Sequence, residues 1–168
     1  MKAKSIKGKT PAEIKTALEA SMADGFTPTV AIVFLEAEIA YEEVCSVFSE
    51  KSIQIFGCSS GSNFTDGEIE SGSIVIMLME INKEYFQIKL ATSENRSTKD
   101  TAEEIGKSGL AAFDKPAFLI VSGGIGADGE EVVDGIEKVC GKGITIFGGL
   151  AADSLKMNRT FVFTKDRI

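Results

Sequence analysis

The sequence predicts a single α/β domain with a mixed, mainly parallel sheet, flanking helices and two duplicated βαβ-type halves. Continuous apolar runs alternate with amphipathic segments of helical period along the 168 residues, a pattern typical of strands that helices cover on both faces. A strand, a helix and a strand follow one another within about 30 residues, the length of a βαβ unit. The motif IFG, at the end of a predicted strand, occurs at residues 55–57 and again at 146–148.

Composition excludes several classes of protein. The chain is 43% hydrophobic and 26% charged, which is ordinary for a globular domain. The net charge is −7 and no basic stripe is present, so we expect no nucleic-acid partner. No apolar run approaches the roughly 18 to 20 residues of a membrane helix, and the polar N-terminus does not resemble a secretory signal. We therefore expect a cytoplasmic protein without a membrane partner.

Cysteine and histidine content restricts the chemistry further. The three cysteines, Cys45, Cys58 and Cys140, are scattered and the chain has no histidine. This spacing indicates a reducing compartment, with neither a disulfide framework nor a zinc site. Without histidine the chain cannot form a Ser-His-Asp or Cys-His catalytic group. We expect no metal, no cofactor and no catalytic residue.

The first elements follow from capping and periodicity. Residues 1–9 are polar and are expected to be loose or an edge strand. Thr10, Pro11 and Glu13 predict a helix start, with Thr as N-cap, Pro in the first helical position and Glu three residues after the cap. Residues 29–35 (TVAIVFL) form a continuous apolar run, which predicts a buried strand.

The next elements complete the first half. A helix is predicted at 39–49, followed by a strand that runs into a small-residue turn at 57–60. The two strands on either side of this helix are expected to be parallel. Residues 61–72 are predicted as a polar loop, and residues 73–81 (SIVIMLMEI) as a buried strand.

The central part of the chain changes its pattern. Residues 84–92 (EYFQIKLAT) alternate between apolar and polar, which predicts a strand antiparallel to its predecessor with one solvated face. A helix at 98–113 and a buried strand at 117–122 follow. Asp128 is the expected N-cap of a further helix at 130–140.

The last elements repeat the earlier order. Residues 143–149 (GITIFGG) are predicted as a strand ending in a glycine turn, and residues 160–164 (TFVFT) as a final strand. Residues 30–81 and 118–164 therefore match as strand, helix, IFG strand, small-residue turn and second strand. We interpret this order as an internal duplication, in which related halves share a sheet or face each other across a cleft.

The two small-residue turns are the predicted ligand-binding site. Their backbone amides would hold a carboxylate, and the carboxylate of Asp153 would hold an amine, which suits an amino acid. The predicted ligand-binding residues are Gly57, Cys58, Ser59, Ser60, Gly148, Gly149 and Asp153.

Three other motifs have both a functional and a plainer interpretation. Residues 124–129 form a GxGxxG sequence, but the acidic start of the following helix would repel a phosphate, which favours a plain βα loop. Cys58 or Ser59 could act as the nucleophile of an acyl-transfer enzyme, yet no general base is visible, and Gly149 replaces the cysteine in the second turn. The loop carboxylates Asp66, Glu68 and Glu70 could hold a cation or an amine ligand, although solvated surface is the simpler interpretation.

The sequence resembles the N-terminal domain of the FIST (F-box and intracellular signal transduction) family over residues 29–164. IFGCSSG at 55–61 and FLIVSGGIGADGEEVVDGIEKV at 118–139 carry the resemblance, and FGGLAAD at 147–153 is its most specific part. The resemblance implies one such domain over residues 1–168. It also implies an intracellular sensory role in signal transduction and no established catalytic activity.

The resemblance also implies partners. The expected ligand is a small molecule, and amino acids have been proposed for the family. A FIST C-terminal domain or a signalling output module is the expected protein partner, since the family pattern continues beyond the N-terminal portion. The sequence leaves two alternatives open: a Cys- or Ser-dependent acyl-transfer enzyme or hydrolase, and a non-catalytic interaction module that forms homo-oligomers through a sheet edge.

Overall fold

The fold is described from a computed structural model of the chain, which covers residues 1–65, 67–165 and 167. In chain order the elements are β1 (Lys2–Gly8), α1 (Pro11–Met22), β2 (Val30–Leu35), α2 (Tyr41–Ser49), β3 (Gln54–Ser59), β4 (Asn63–Thr65), β5 (Glu68–Glu70), β6 (Ile74–Glu80), α3 (Thr98–Ala112), β7 (Ala117–Ser122), α4 (Gly129–Cys140), β8 (Thr145–Leu150) and β9 (Val162–Phe163). The α/β class of the domain and its mixed sheet are confirmed.

The chain divides into two compact units, of which the first comprises Met1–Ile88 and Ala151–Ile168. Its main sheet has the strand order β1-β6-β2-β3-β9. Strands β2 and β3 are parallel, as predicted for a βαβ unit. The pairs β1–β6, β2–β6 and β3–β9 are antiparallel, so parallel pairing is less common in this sheet than the sequence suggested.

The core of the first unit lies where α1 and α2 pack on this sheet. Its largest fully buried side chains include Phe48, Phe163, Ile14 and Leu18. The predicted start of α1 is confirmed, because the Thr10 side chain accepts a hydrogen bond from the Glu13 amide at 3.2 Å. The polar N-terminal segment forms an edge strand, β1, beside β6.

The second unit, Lys89–Leu150, contains α3, α4 and the parallel pair β7–β8. Ala102, Phe118 and Ile136 form its small buried core. The helices approach closely at Gly135, where an added Cβ would lie 2.5 Å from the Lys99 carbonyl oxygen. Asp128 caps α4, as predicted, by accepting a hydrogen bond from the Glu130 amide at 2.8 Å.

Two segments between the helices differ from the prediction. Residues 84–92 form no strand: a 3₁₀ turn at Lys83–Tyr85 is followed by irregular chain. The apolar side chains of this segment, Phe86, Ile88 and Leu90, are still more buried than the polar side chains between them. The alternation therefore indicates which side chains are buried, although the segment forms no strand. Residues 61–72, predicted as a loop, contain the antiparallel pair β4–β5.

The two small-residue turns are not turns, since Gly57–Ser59 lie within β3 and Gly148–Gly149 within β8. The two IFG motifs take the same parallel register: Ile55 pairs with Ala31 and Ile146 with Phe118, in each case the second residue of the partner strand. The last strand departs from the repeat, because β9 pairs with β3 of the first unit. The duplication itself stays a prediction.

Candidate functional site

Packing inside the first unit explains why residue 57 is a glycine. The residue is buried in β3, and an added Cβ would clash with the aromatic ring of Phe163. Phe163 is 1% exposed and packs on Tyr41 with 5.3 Å between ring centroids. The glycine therefore makes room for an aromatic side chain of β9.

Cys58 is placed unfavourably for nucleophilic chemistry. Its side chain is 4% exposed, and burial raises the pKa of the thiol to about 12. The thiolate is the nucleophilic form of cysteine, so this sulfur is protonated at neutral pH. The burial of Cys58 therefore disfavours the acyl-transfer interpretation for this residue.

Ser59 and Ser60 use their polar groups within the protein. Ser59 is 1% exposed, and its Oγ accepts a hydrogen bond from the Phe161 amide at 3.0 Å. The Ser60 amide donates to the Leu35 carbonyl at 2.8 Å, and the Ser60 Oγ donates to the Ser62 carbonyl at 2.8 Å. These bonds join the end of β3 to its neighbouring chain segments.

Asp153 organises the loop that follows it. Its side chain is 8% exposed and accepts hydrogen bonds from the amides of Asn158 at 2.8 Å, Met157 at 3.2 Å and Arg159 at 3.4 Å. These bonds, led by the one from Asn158, lower the pKa of the carboxyl group. The loop needs such support because Leu155 and Met157 have positive φ values of 61° and 50°, which are unfavourable for non-glycine residues.

The same loop borders a cavity of about 400 Å³, which we call the α2 pocket. The other wall is the segment that leads into α2 and its first turn. The side chain of Ala40, the N-cap residue of α2, has no hydrogen-bonding group, and no described side chain caps the first-turn amides. The pocket is lined by Ala37, Glu38, Ile39, Ala40, Tyr41, Glu42, Asp153, Lys156, Asn158 and Arg159.

Positively and negatively charged side chains both line the α2 pocket. Lys156 forms an ion pair with Glu38, which lowers the pKa of the glutamate and raises that of the lysine. Arg159 lies over the ring of Phe161, 4.8 Å from its centroid, and pairs with no carboxylate among the described side chains. Burial raises the pKa of Tyr41. Over the described residues, no cluster of three or more His, Cys, Asp or Glu is placed to hold a metal ion.

Gly148 and Gly149 belong to the second unit and line a different cavity, of about 240 Å³. An added Cβ at Gly148, whose φ is +140°, would fall on the Ile120 carbonyl oxygen, whereas one at Gly149 would meet nothing within 4 Å. The GxGxxG sequence forms the loop between β7 and α4. Asp128, Glu130 and Glu131 lie at the start of that helix and disfavour a phosphate there.

The first unit brings together five of the seven predicted ligand-binding residues. The Ser59 carbonyl accepts a hydrogen bond from the Ala152 amide at 3.0 Å, which places the end of β3 next to Asp153. The predicted set missed Tyr41, Glu42 and Arg159, which line the α2 pocket. The sequence feature that could have pointed to these residues is Ala40, an N-cap residue whose side chain cannot cap the helix. Of the candidate cation ligands, Asp66 lies outside the described residues, as do the side chains of Glu68 and Glu70.

Comparison with known proteins assigns the family. Among the described residues, no helix has the length and apolar character needed to cross a membrane. No curated protein and no solved structure matches the chain. The family model described as FIST N domain matches residues 29–168, and FIST domains are sensory domains of signal transduction. The chain therefore belongs to the FIST N domain family.

Proposed function

We propose that the chain senses a small zwitterionic molecule such as an amino acid, and that it binds this ligand in the α2 pocket. The observation that carries the proposal is the meeting of opposite charges in one cavity of about 400 Å³. A concave site with a few convergent polar groups is the usual form of a small-molecule site. A sensory family supplies the biological context.

The ligand carboxylate is assigned to Arg159 and the start of α2. A guanidinium binds a carboxylate through two parallel hydrogen bonds, and Arg159 has no competing carboxylate among the described side chains. The first-turn amides of α2, which no described side chain caps, add donors, while Glu42 and Glu43 in the same turn offset the positive end of the helix dipole. Arg159 is held in place by its contact with Phe161.

The ligand ammonium is assigned to Glu42. Glu38 already pairs with Lys156, and the carboxylate of Asp153 already accepts three backbone hydrogen bonds. Asp153 then contributes by fixing the loop that carries Arg159. This proposed role differs from the direct amine contact expected from the sequence.

A thermal-shift screen against the common amino acids, followed by calorimetry, tests the proposal. We expect at least one amino acid to raise the melting temperature of the wild-type chain, and Arg159→Ala to abolish the shift. Lys51→Ala, which removes an exposed cation outside the pocket, is the matched control and should keep the shift. The proposal fails if no amino acid shifts the wild type, or if both variants respond alike.

One observation favours a second function, that of a protein-interaction module. Phe64 and Ile69 face each other across β4–β5 and are 76% and 81% exposed. Exposed apolar pairs of this kind occur at interaction surfaces. Sedimentation of the wild type and of Phe64→Ser separates the two functions, since self-association that the variant abolishes supports the interaction module.

A further inference from the structure

The cavity in the second unit has a different chemistry from the α2 pocket. It lies beside the carboxyl ends of β7 and β8 and the start of α4. In α/β proteins, ligands bind outside the carboxyl ends of parallel strands. The main apolar side chains in its lining are those of Ile120, Val132, Val133, Ile146, Phe147 and Leu150.

The cavity leaves apolar surface open to water. Phe147 is 57% exposed and Leu150 is 48% exposed, although strands of parallel sheets are normally covered on both faces. Covering such apolar surface removes it from water, which favours binding. Gly149 adds no side chain to the lining of the cavity, and an added Cβ there would have no neighbour within 4 Å.

The charges around the cavity restrict its ligand. Among the residues that the structure describes, no lysine or arginine lines it, and the first turn of α4 carries Glu130 and Glu131. The Asp128 carboxylate already caps the helix, so the positive end of its dipole is neutralised. Anions are therefore disfavoured, and the hydroxyl of Ser122 is the polar side-chain group available to a ligand.

We propose that this cavity is a second ligand site, which binds an uncharged, largely apolar small molecule with one hydrogen-bonding group. The site is independent of the α2 pocket, since the two share no lining residue. The ligand covers Phe147 and Leu150 and hydrogen-bonds to Ser122. A molecule carrying a phosphate or carboxylate is excluded by the acidic start of α4.

Fluorescence titration of the full chain with two dyes tests this site. Nile red is uncharged and apolar, whereas anilinonaphthalene sulfonate is apolar but anionic. We expect saturable binding of Nile red and at least about tenfold weaker binding of the anionic dye, since the cavity offers no cation to pair with it. Equal or tighter binding of the anion overturns the proposal, as does the absence of Nile red binding.

Substitutions locate the bound dye. Gly149→Leu adds a large side chain to the lining of the cavity and should weaken Nile red binding about tenfold or more, because the new side chain competes with the ligand for space. Gly123→Leu is the matched control: an added Cβ there also meets nothing within 4 Å, and the residue does not line the cavity. Unchanged binding by Gly149→Leu overturns the proposal.

A second variant guards against loss of folding. Val133 is 41% exposed on α4, so Val133→Asp places a charge at the cavity with little effect on the core. It should abolish Nile red binding while the far-ultraviolet circular dichroism stays native. Sedimentation completes the test, because a dimer that buries this surface and that Gly149→Leu dissociates would assign the cavity to a second copy and overturn the ligand proposal.

Discussion

Two adjacent glycines in β8 differ in whether a larger side chain would fit. Gly148 has φ +140°, and an added Cβ would fall on the Ile120 carbonyl, whereas Gly149 has open space. We predict that Gly148→Ala lowers the free energy of unfolding by about 3 kcal/mol, from overpacking and backbone strain. Gly149→Ala should change it by less than about 0.5 kcal/mol, as is usual at a surface position. Urea denaturation measures both, and equal stabilities would contradict the steric explanation.

The burial of Cys58 has a chemical consequence that labelling can measure. Burial raises the pKa of its thiol to about 12. We therefore predict that iodoacetamide at pH 7 alkylates native Cys58 at least about tenfold more slowly than an ordinary thiol, because the thiolate is the reacting form. Mass spectrometry of native and urea-unfolded protein gives the two rates. Fast native labelling at Cys58 would revive the acyl-transfer alternative.

Asp153 links the stability of the loop to pH. Its folded-state pKa is lowered by the amides of Asn158, Met157 and Arg159. A lowered pKa means that the stabilisation is present above the unfolded-state pKa of about 3.9 and is lost as the pH falls through the folded-state value. We predict that Asp153→Asn is less stable than wild type at pH 6 and that the difference shrinks below pH 4, as urea melts at each pH would show. A constant difference would mean that the charge contributes nothing.

Asp153, a predicted ligand-binding residue, lines the α2 pocket, whereas other residues of that lining were not predicted. The residue was predicted because it follows a glycine-rich strand end, a local pattern. Tyr41 and Arg159 were missed because they meet in the α2 pocket from segments far apart in the chain. The sequence shows a glycine at position 57, but it does not show that the ring of Phe163 leaves no room for a larger residue there.

At the scale of the elements, two glycines lie where α3 and α4 pack together, and they differ in the space available for a larger side chain. An added Cβ at Gly135 would lie 2.5 Å from the Lys99 carbonyl oxygen, whereas one at Gly106 would lie 3.3 Å from the Cβ of Val139. Alanine gains up to about 1 kcal/mol over glycine in a helix, while a severe clash costs about 1–3 kcal/mol. We predict that Gly135→Ala is destabilising and that Gly106→Ala is nearly neutral.

Thermal melts of the two helix variants decide this point. Gly106→Ala serves as the control, since both changes add one methyl group to a glycine in the same helix pair. If Gly135→Ala proved as stable as Gly106→Ala, the helices would have to move apart at no cost. That result would contradict the close approach at Lys99.

Elements with strong local signals were predicted within a few residues. The Thr10 cap, the run at Val30–Leu35 and the Asp128 cap are of this kind. The β4–β5 pair was missed although Asp66-Gly67 is a common hairpin dipeptide. The strand expected at 84–92 did not form, because alternation shows which side chains are buried but does not supply a hydrogen-bonding partner.

At the scale of the molecule, the sheet order of the first unit was beyond prediction. The pairing of β9 with β3 joins the end of the described chain to its first half. Such pairings depend on tertiary packing, for which the local sequence has no signal. The aromatic side chains of Tyr41, Phe161 and Phe163 pack together where this connection is made.

A double-mutant cycle tests whether this connection explains the motif at residues 55–57. We predict that Phe163→Ala lowers the free energy of unfolding by about 3–5 kcal/mol, as expected for a buried phenylalanine. Gly57→Ala should cost about 1–3 kcal/mol in the wild type because of its clash with the ring. In the Phe163→Ala background it should cost almost nothing, since the ring is absent and neighbouring substitutions do not add. Additive effects would mean that Gly57 serves another purpose, and a direct ligand contact at β3 would then regain support.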